Sequence, residues 1–282
     1  MRPDTGTPIG RLYDVQGRQL MLHARGDGGP AVVFLPGAGL VGLDFLTVGE
    51  RVAALTASVV YDRAGTGWSR PAALPRTAAD VADELADLLA VAGVPGPYVL
   101  AGHSLGAFYA RRFAQRRPAD VAGLLLIDPG HEDIMSYLPH EAAQMNERLT
   151  PDPDALPDLT TEQLQAAREQ YAHILATWRV SLRETANFDT VIYDELRHGG
   201  PLPDVPLIVL TAGANPAWAQ VASPELVRRS LDGVRAMHAA LARSVPRGEQ
   251  RVLDGASHQF AHIERGEAVV AAIADLLERA RA

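Results

Sequence analysis

The chain has no cysteine and no lysine among its 282 residues. Without cysteine there can be no disulfide, no thiolate metal site and no cysteine nucleophile. Without lysine, all 26 basic residues are arginine, and they are scattered along the chain, which reads as coding bias rather than as a binding device. The doublets Arg111/Arg112, Arg116/Arg117 and Arg228/Arg229 fall in helix-like segments, where a solvated helix face is the expectation. Positive charge is outweighed overall: the formal net charge is −8, which argues against nucleic acid, a partner that calls for a basic face to neutralise phosphates. No apolar run approaches the ~20 residues that span a bilayer. The opening MRPDTGTPIGRLYDVQGRQLML lacks the charged-then-apolar pattern of a leader. A cytoplasmic protein without a membrane partner is therefore expected.

Core-forming residues are plentiful, at 47% hydrophobic, and they come in a definite order. Short apolar runs read as strands: 31–35, 58–62, 98–102, 124–128, 206–213 and 251–255. Near-continuous apolar runs suit strands buried on both faces, as in a parallel sheet covered by helices. Between them lie helical patterns. Thr77 and Asp80 form a capping-box signature, followed by Val81, Leu85, Leu88, Leu89 and Ala92 at helical spacing and a stop at Gly93. A last helix over 264–281 turns Val269, Val270, Ile273, Leu276 and Leu277 inward. The stretch around 10–25 alternates polar and apolar residues, as an edge hairpin does. Strand alternating with helix means an α/β fold with right-handed crossovers.

Residues 131–204 break this rhythm. They contain no convincing strand, a Pro-rich stretch at 151–158, and a helix over about 161–186 with Leu164, Ala167, Tyr171, Ile174, Trp178 and Leu182 on one face. A helical insertion there sits above the C-terminal edge of the sheet, where open α/β sheets bind ligands. The expected organisation is a core of 1–130 and 205–282 with a helical cap, or lid, of 131–204.

The most specific signal is Gly102-His103-Ser104-Leu105-Gly106, which follows a strand and opens a helix. That context forces a serine onto a sharp turn with strained dihedrals, and small flanking residues relieve the crowding. The hydroxyl is pushed out above the sheet, and the helix start offers an N–H and a favourable dipole to a developing oxyanion.

Over nearly its full length the chain resembles the α/β-hydrolase superfamily, in its strand order, its nucleophile elbow, its helical insertion and a late histidine. The resemblance implies an α/β-hydrolase fold: a mostly parallel central sheet, helices on both faces and a cap. It implies Ser104 as nucleophile and the main-chain N–H groups of Leu105 and Ala38 as the oxyanion hole. Gly37-Ala38-Gly39 resembles the family's oxyanion loop, except that Pro36 replaces the usual preceding histidine; a main-chain donor does not depend on that side chain. Asp62-Arg63-Ala64-Gly65-Thr66-Gly67-Trp68-Ser69 resembles a further family loop, to which we assign a structural role, with Asp62 and Arg63 tying it down.

The superfamily keeps its general base just after the last strand, which here is His258, with His262 as the rival one turn away. His103 adjoins Ser104 but points away from it at a tight turn, and His23, His173, His198 and His238 read as surface or packing residues. The acid is less direct. The family's usual position, in the turn after the strand at 206–213, holds Asn215 and Pro216. A second family position lies at the end of the preceding strand, where Asp128 closes the run LLLID. A carboxylate there is costly to bury without a partner. Asp128 is favoured, with Glu132 and Asn215 as alternatives. The stretch LTAGANPAW then reads as a vacated acid site serving as pocket wall.

A serine at the elbow disfavours epoxide hydrolysis and dehalogenation, which need a carboxylate there for alkyl displacement. Ester, lactone, thioester or amide cleavage, or acyl transfer, remains, with a small molecule as substrate and neither cofactor nor metal. A ligand receptor, cyclase or cofactor-free lyase on the same scaffold is the alternative class, favoured if the acid proves missing. Leu40, Phe45, Tyr137, Tyr171, Trp178, Phe188, Tyr193 and Trp218 are candidates for an apolar pocket. No basic cluster in the insertion suits a polyanion of coenzyme size.

Overall fold

Six of the apolar runs and the edge hairpin become a single sheet. The computed structural model describes residues 9–142, 180, 183 and 185–281. Its strands are β1 (Arg11–Val15), β2 (Arg18–Arg25), β3 (Ala31–Leu35), β4 (Ser58–Tyr61), β5 (Tyr98–His103), β6 (Val121–Ile127), β7 (Leu207–Ala214) and β8 (Gly248–Ser257). Their order across the sheet is β1-β2-β4-β3-β5-β6-β7-β8. β1 pairs antiparallel with β2, and β2 with β4. All pairings from β4 onward are parallel.

The helices are α1 (Leu46–Val52), α2 (Ala78–Val91), α3 (Leu105–Arg116), α4 (Ile134–Tyr137), α5 (Tyr193–His198), α6 (Pro216–Val221), α7 (Pro224–Ala242), α8 (Ala261–Glu264) and α9 (Gly266–Arg281). Alternation along the strands builds two apolar layers. On one face Val33, Leu35, Leu100, Leu124, Leu126 and Val209 meet α2 and α3 through Leu85, Leu88, Phe108 and Phe113. On the other, Val32, Phe34, Val99, Ala101, Leu125, Ile127 and Leu210 meet α1 and α9 through Val48, Val269, Ile273 and Leu276. The central strands β3 to β7 thus hide both faces, as their mostly apolar sequences require.

At the start of α2, Asp80 N–H donates to Thr77 Oγ1 and Thr77 N–H to Asp80 Oδ2, both at 3.0 Å. Such a cap is worth about 1 kcal/mol. Gly93, at φ 70°, follows the helix end.

Three readings need adjustment. β8 runs on to Ser257, because its pairing with β7 resumes after a shift between Ala212 and Ala214, with Ala214 opposite Ser257. The last helix begins at Gly266, since Glu264 ends α8 and accepts hydrogen bonds from Ser257. Arg111 is not on a solvated face: it is 4% exposed and makes a bidentate pair with the carboxylate of Glu132, two bonds of 2.7 Å. The other doublets do face solvent, as the exposure of Arg116, Arg117, Arg228 and Arg229 shows.

Of the insertion between β6 and β7, the described residues hold α4, a 3-10 turn at Thr185–Asn187, a π-helical turn at Phe188–Ile192 and α5, and no strand. The Pro-rich stretch at 151–158, Tyr171, His173 and Trp178 lie outside the described residues, as does the expected helix over 161–186 apart from its last few positions. The side chain of Phe188 lies outside them too.

Candidate active site

Ser104, Asp128 and His258 each occupy the first position beyond a strand, after β5, β6 and β8 respectively. The parallel sheet therefore delivers all three side chains to one edge. Ser104 sits at φ 48°, ψ −112°, in a region that side-chain-bearing residues rarely adopt. The flanking glycines explain how the turn closes. A Cβ on Gly106 would lie 2.0 Å from the carbonyl oxygen of Leu35, and one on Gly102 would lie 2.7 Å from that of Gly106. The elbow thus packs backbone against backbone with no room for side chains.

The three side chains form one hydrogen-bonded line. Ser104 Oγ lies 3.0 Å from His258 Nε2, and His258 Nδ1 lies 2.5 Å from Asp128 Oδ2. The other Asp128 oxygen accepts from Ala212 N–H at 2.7 Å. Burial alone raises the Asp128 pKa, but the hydrogen bond and charge of His258, with help from Ala212 N–H, hold it below the usual carboxylate range. Burial lowers that of His258, and the hydrogen bond and charge of Asp128 outweigh it, so the imidazole titrates above its ordinary value.

The rival residues are engaged elsewhere. Glu132 is buried against Arg111, and its pKa is depressed because that guanidinium outweighs the cost of burial. Asn215 caps α6, its side chain accepting from Trp218 N–H at 3.3 Å. His262 is fully buried and stacked on Phe45 at 4.3 Å between ring centres; among the described residues neither of its ring nitrogens has a hydrogen-bond partner, and burial pushes its pKa down to about 4. His103 turns away from Ser104, as its place in the strand requires. Its Nε2–H donates to the carbonyl of His258 at 2.8 Å, and burial, with the neighbouring charges of His258 and His262, pushes its pKa down to about 3.

A cavity of about 480 Å³ opens over Ser104, lined by Ala38, Leu40, Trp218 and Phe260 among apolar residues and by Asn215, Gln220 and Gln259 among polar ones. Among the described residues no arginine lines it. Of the pocket candidates, Leu40 and Trp218 reach this cavity. Phe45 does not: it is buried against Phe34 and His262. Tyr137 is half-exposed on α4 and Tyr193 stacks on Phe108, both away from the lining. Ala38 borders the cavity and Leu105 opens α3; among the described residues neither main-chain N–H is taken up by a protein acceptor. The loop that carries Ala38 is stapled from below. Buried Arg63 donates to the carbonyls of Pro36 and Gly37 at 2.5 and 3.2 Å, and Asp62 accepts from the N–H groups of Gly42 and Trp68, both at 2.8 Å.

Sequence reasoning missed two buried polar residues around this site, Arg111 and His238. Both stand on the apolar stripe of an amphipathic helix, α3 and α7, where a polar side chain needs an internal partner. That position is the signal that could have found them.

Comparison with known proteins agrees with the geometry. Residues 32–272 match the alpha/beta hydrolase family, and the chain belongs to it. A pimeloyl-acyl-carrier-protein methyl ester esterase of Chromobacterium violaceum is 42% identical over 99 residues, 35% of this chain and 37% of that protein. The first curated relatives are matched over about half of their length or less. Among solved structures, a thermophilic esterase from Thermogutta terrifontis superposes with a TM-score of 0.61 at 21% identity, over 96% of this chain and 98% of that one. An enol-lactonase from Burkholderia xenovorans does so with a TM-score of 0.61 at 17% identity, over 95% and 99%. At such identities these structures share the fold.

Proposed function

We propose that this chain is a serine hydrolase that cleaves an ester-type bond (ester, lactone or thioester) of a small, uncharged and largely apolar substrate through an acyl-enzyme. The observation that carries this reading is the continuous line Ser104 Oγ–His258–Asp128 beneath a cavity whose described lining holds no arginine. The names of the esterase and lactonase relatives point the same way.

The steps follow from the line. Ser104 Oγ attacks the carbonyl carbon while its proton passes to His258 Nε2. Asp128 holds the tautomer with hydrogen on Nδ1 and stabilises the imidazolium that forms. The carbonyl oxygen gains charge and is met by the N–H groups of Leu105 and Ala38, fixed donors that need no reorganisation. Collapse breaks the bond to the leaving oxygen or sulfur, which takes the proton from His258. Water then attacks the acyl carbon, giving its proton to the same nitrogen, and Ser104 is released with its own proton restored. The insertion at 131–204 is assigned as a cap over this edge. Its early residues bring Leu138 and Ala142 against Trp218, which borders the cavity.

A non-hydrolytic role for the scaffold would fit an empty acid position. The 2.5 Å bond between Asp128 and His258 favours acyl chemistry instead. Turnover of p-nitrophenyl esters of graded chain length tests the reading. Wild type should hydrolyse them and Ser104→Ala should lose at least about four orders of magnitude in kcat. Equal rates in the two proteins, or no turnover of any ester, lactone or thioester by wild type, would count against it.

A further inference from the structure

His238 is fully buried on α7 and takes no part in the steps above. Its Nε2 lies 2.9 Å from the carbonyl oxygen of Pro129, the residue after the acid. A carbonyl only accepts, so this nitrogen carries the hydrogen. Its Nδ1 lies 3.0 Å from Thr211 Oγ1 on β7. Thr211 Oγ1 in turn accepts from Gln250 Nε2 at 2.8 Å, and the second hydrogen of that amide goes to the carbonyl of Arg235 at 2.9 Å. Donation therefore runs one way, from Gln250 through Thr211 into the Nδ1 lone pair, and out from Nε2 to Pro129. Among the described residues His238 Nδ1 is the one acceptor within reach of the Thr211 hydroxyl hydrogen, and with that hydrogen on the Nδ1 lone pair the ring is neutral.

The turn it grips is under strain. Asp128 has φ 43°, unfavourable for a residue with a side chain, and so needs outside support. Asp128 N–H donates to the Leu210 carbonyl at 2.7 Å and Gly130 N–H to that of Ser104 at 3.2 Å, which fixes the turn from β7 and from the elbow. The Pro129 carbonyl lies between them, and His238 holds it from the third side. His238 Nδ1 also lies 3.8 Å from Asp128 Oδ1. As a lone pair it offers that oxygen no hydrogen, so the carboxylate is left to Ala212 N–H and His258.

We propose that His238 is a positioning residue for the acid: in its neutral Nε2–H form it anchors the Asp128–Pro129 turn and leaves Asp128 Oδ2 to His258. This rests on the triad reading above. Burial, which lowers the His238 pKa against the opposing charge of Asp128, supports the neutral form. The other titratable groups that act on it or respond to it are Asp128, His258 and His131.

The test compares wild type with His238→Gln, His238→Asn and His238→Phe. Glutamine places an N–H where Nε2 stands; asparagine is one carbon shorter and phenylalanine has no donor, so both leave Pro129 without one. The readouts are ester kinetics across pH and the low-field proton resonance of the His258 Nδ1–H, which needs no substrate. Phenylalanine and asparagine should lower kcat by about 100-fold with KM within about threefold, the cost of a misaimed catalytic group. They should also move the acid limb of kcat/KM to lower pH and shift or abolish the resonance. Glutamine should recover kcat to within about tenfold of wild type. If phenylalanine does not fold, the asparagine–glutamine contrast decides. The proposal is overturned if the His238→Asn and His238→Phe proteins match wild type in kcat, acid limb and resonance, or if His238→Gln is as impaired as they are. If the resonance depends on the side chain at this position as expected but no variant turns over esters, the functional reading fails and the positioning role stands.

Discussion

Asp128 is where one substitution separates chemistry from folding. Asp128→Asn keeps the volume and can still accept from Ala212 N–H. It can hold the wrong imidazole tautomer and cannot stabilise the imidazolium. It should retain the fold, by circular dichroism and melting temperature, and lower kcat by about four orders of magnitude, the scale of a lost triad carboxylate. A loss below tenfold would mean that another group supplies the acid. His262→Phe makes the opposite prediction. Among the described residues the ring has no hydrogen-bond partner, and it stacks on Phe45, so phenylalanine should leave kcat within about threefold of wild type, measured beside a His258→Ala protein that is inactive. Because Asp128 raises the His258 pKa, kcat/KM should rise with pH through a midpoint above the ordinary imidazole value of about 6.5. A midpoint below that value would show that burial, not the bond and charge of Asp128, sets the titration of His258.

Elements explain why those residues meet. β5, β6 and β8 end at the same edge, and Ser104, Asp128 and His258 are the next residues of each. Helix α3 is tied to the start of the insertion by the buried pair of Arg111 and Glu132. Removing one partner strands the other charge, so Arg111→Ala should cost about 3–5 kcal/mol in denaturant unfolding. A change under about 1 kcal/mol would show that Glu132 finds water instead. Much of this scale was legible in the amino acids. Strands such as AVVFL and LIVL are apolar throughout because both faces are covered, and the glycines around Ser104 are where the backbones touch. Asp128 is singled out by elimination and by the resemblance's second acid position, since LLLID by itself looks like any strand end. Nothing local to Phe45 or Tyr137 distinguishes a core or surface aromatic from one lining a cavity; that is decided by which way the helices present them. Arg111 and His238 were hidden because their partners lie 21 and 109 residues away in the chain.

At the scale of the whole molecule, buried neutral histidines couple stability to pH. His103 titrates at about 3, and His131 and His262 at about 4, each because burial disfavours the charged ring; His238 is lowered for the same reason. In the unfolded chain these rings take protons near pH 6.5, their ordinary value of about 6.5 being restored in water. Between about 4 and 6.5 the unfolded state therefore binds more protons, so stability should rise with pH in that window and fall on acidification. Asp62 works against this. Burial, opposed by the N–H groups of Trp68 and Gly42, pushes its pKa up to about 6, so its contribution falls as pH rises from its unfolded value. Histidines outnumber it, and the net slope should be positive. Urea unfolding at a series of pH values checks the sign. His262→Phe should flatten the slope by about 1.4 kcal/mol per pH unit, one proton's worth.

The central claim is that Ser104 is a nucleophile activated by His258. Peptide mass spectrometry after treatment with a fluorophosphonate tests it most directly, because the probe needs an activated serine and no knowledge of the substrate. The account predicts a single adduct, on the peptide that contains Ser104, formed by wild type and absent from His258→Ala over the same time. Labelling at another residue, or none in a folded sample, would contradict it.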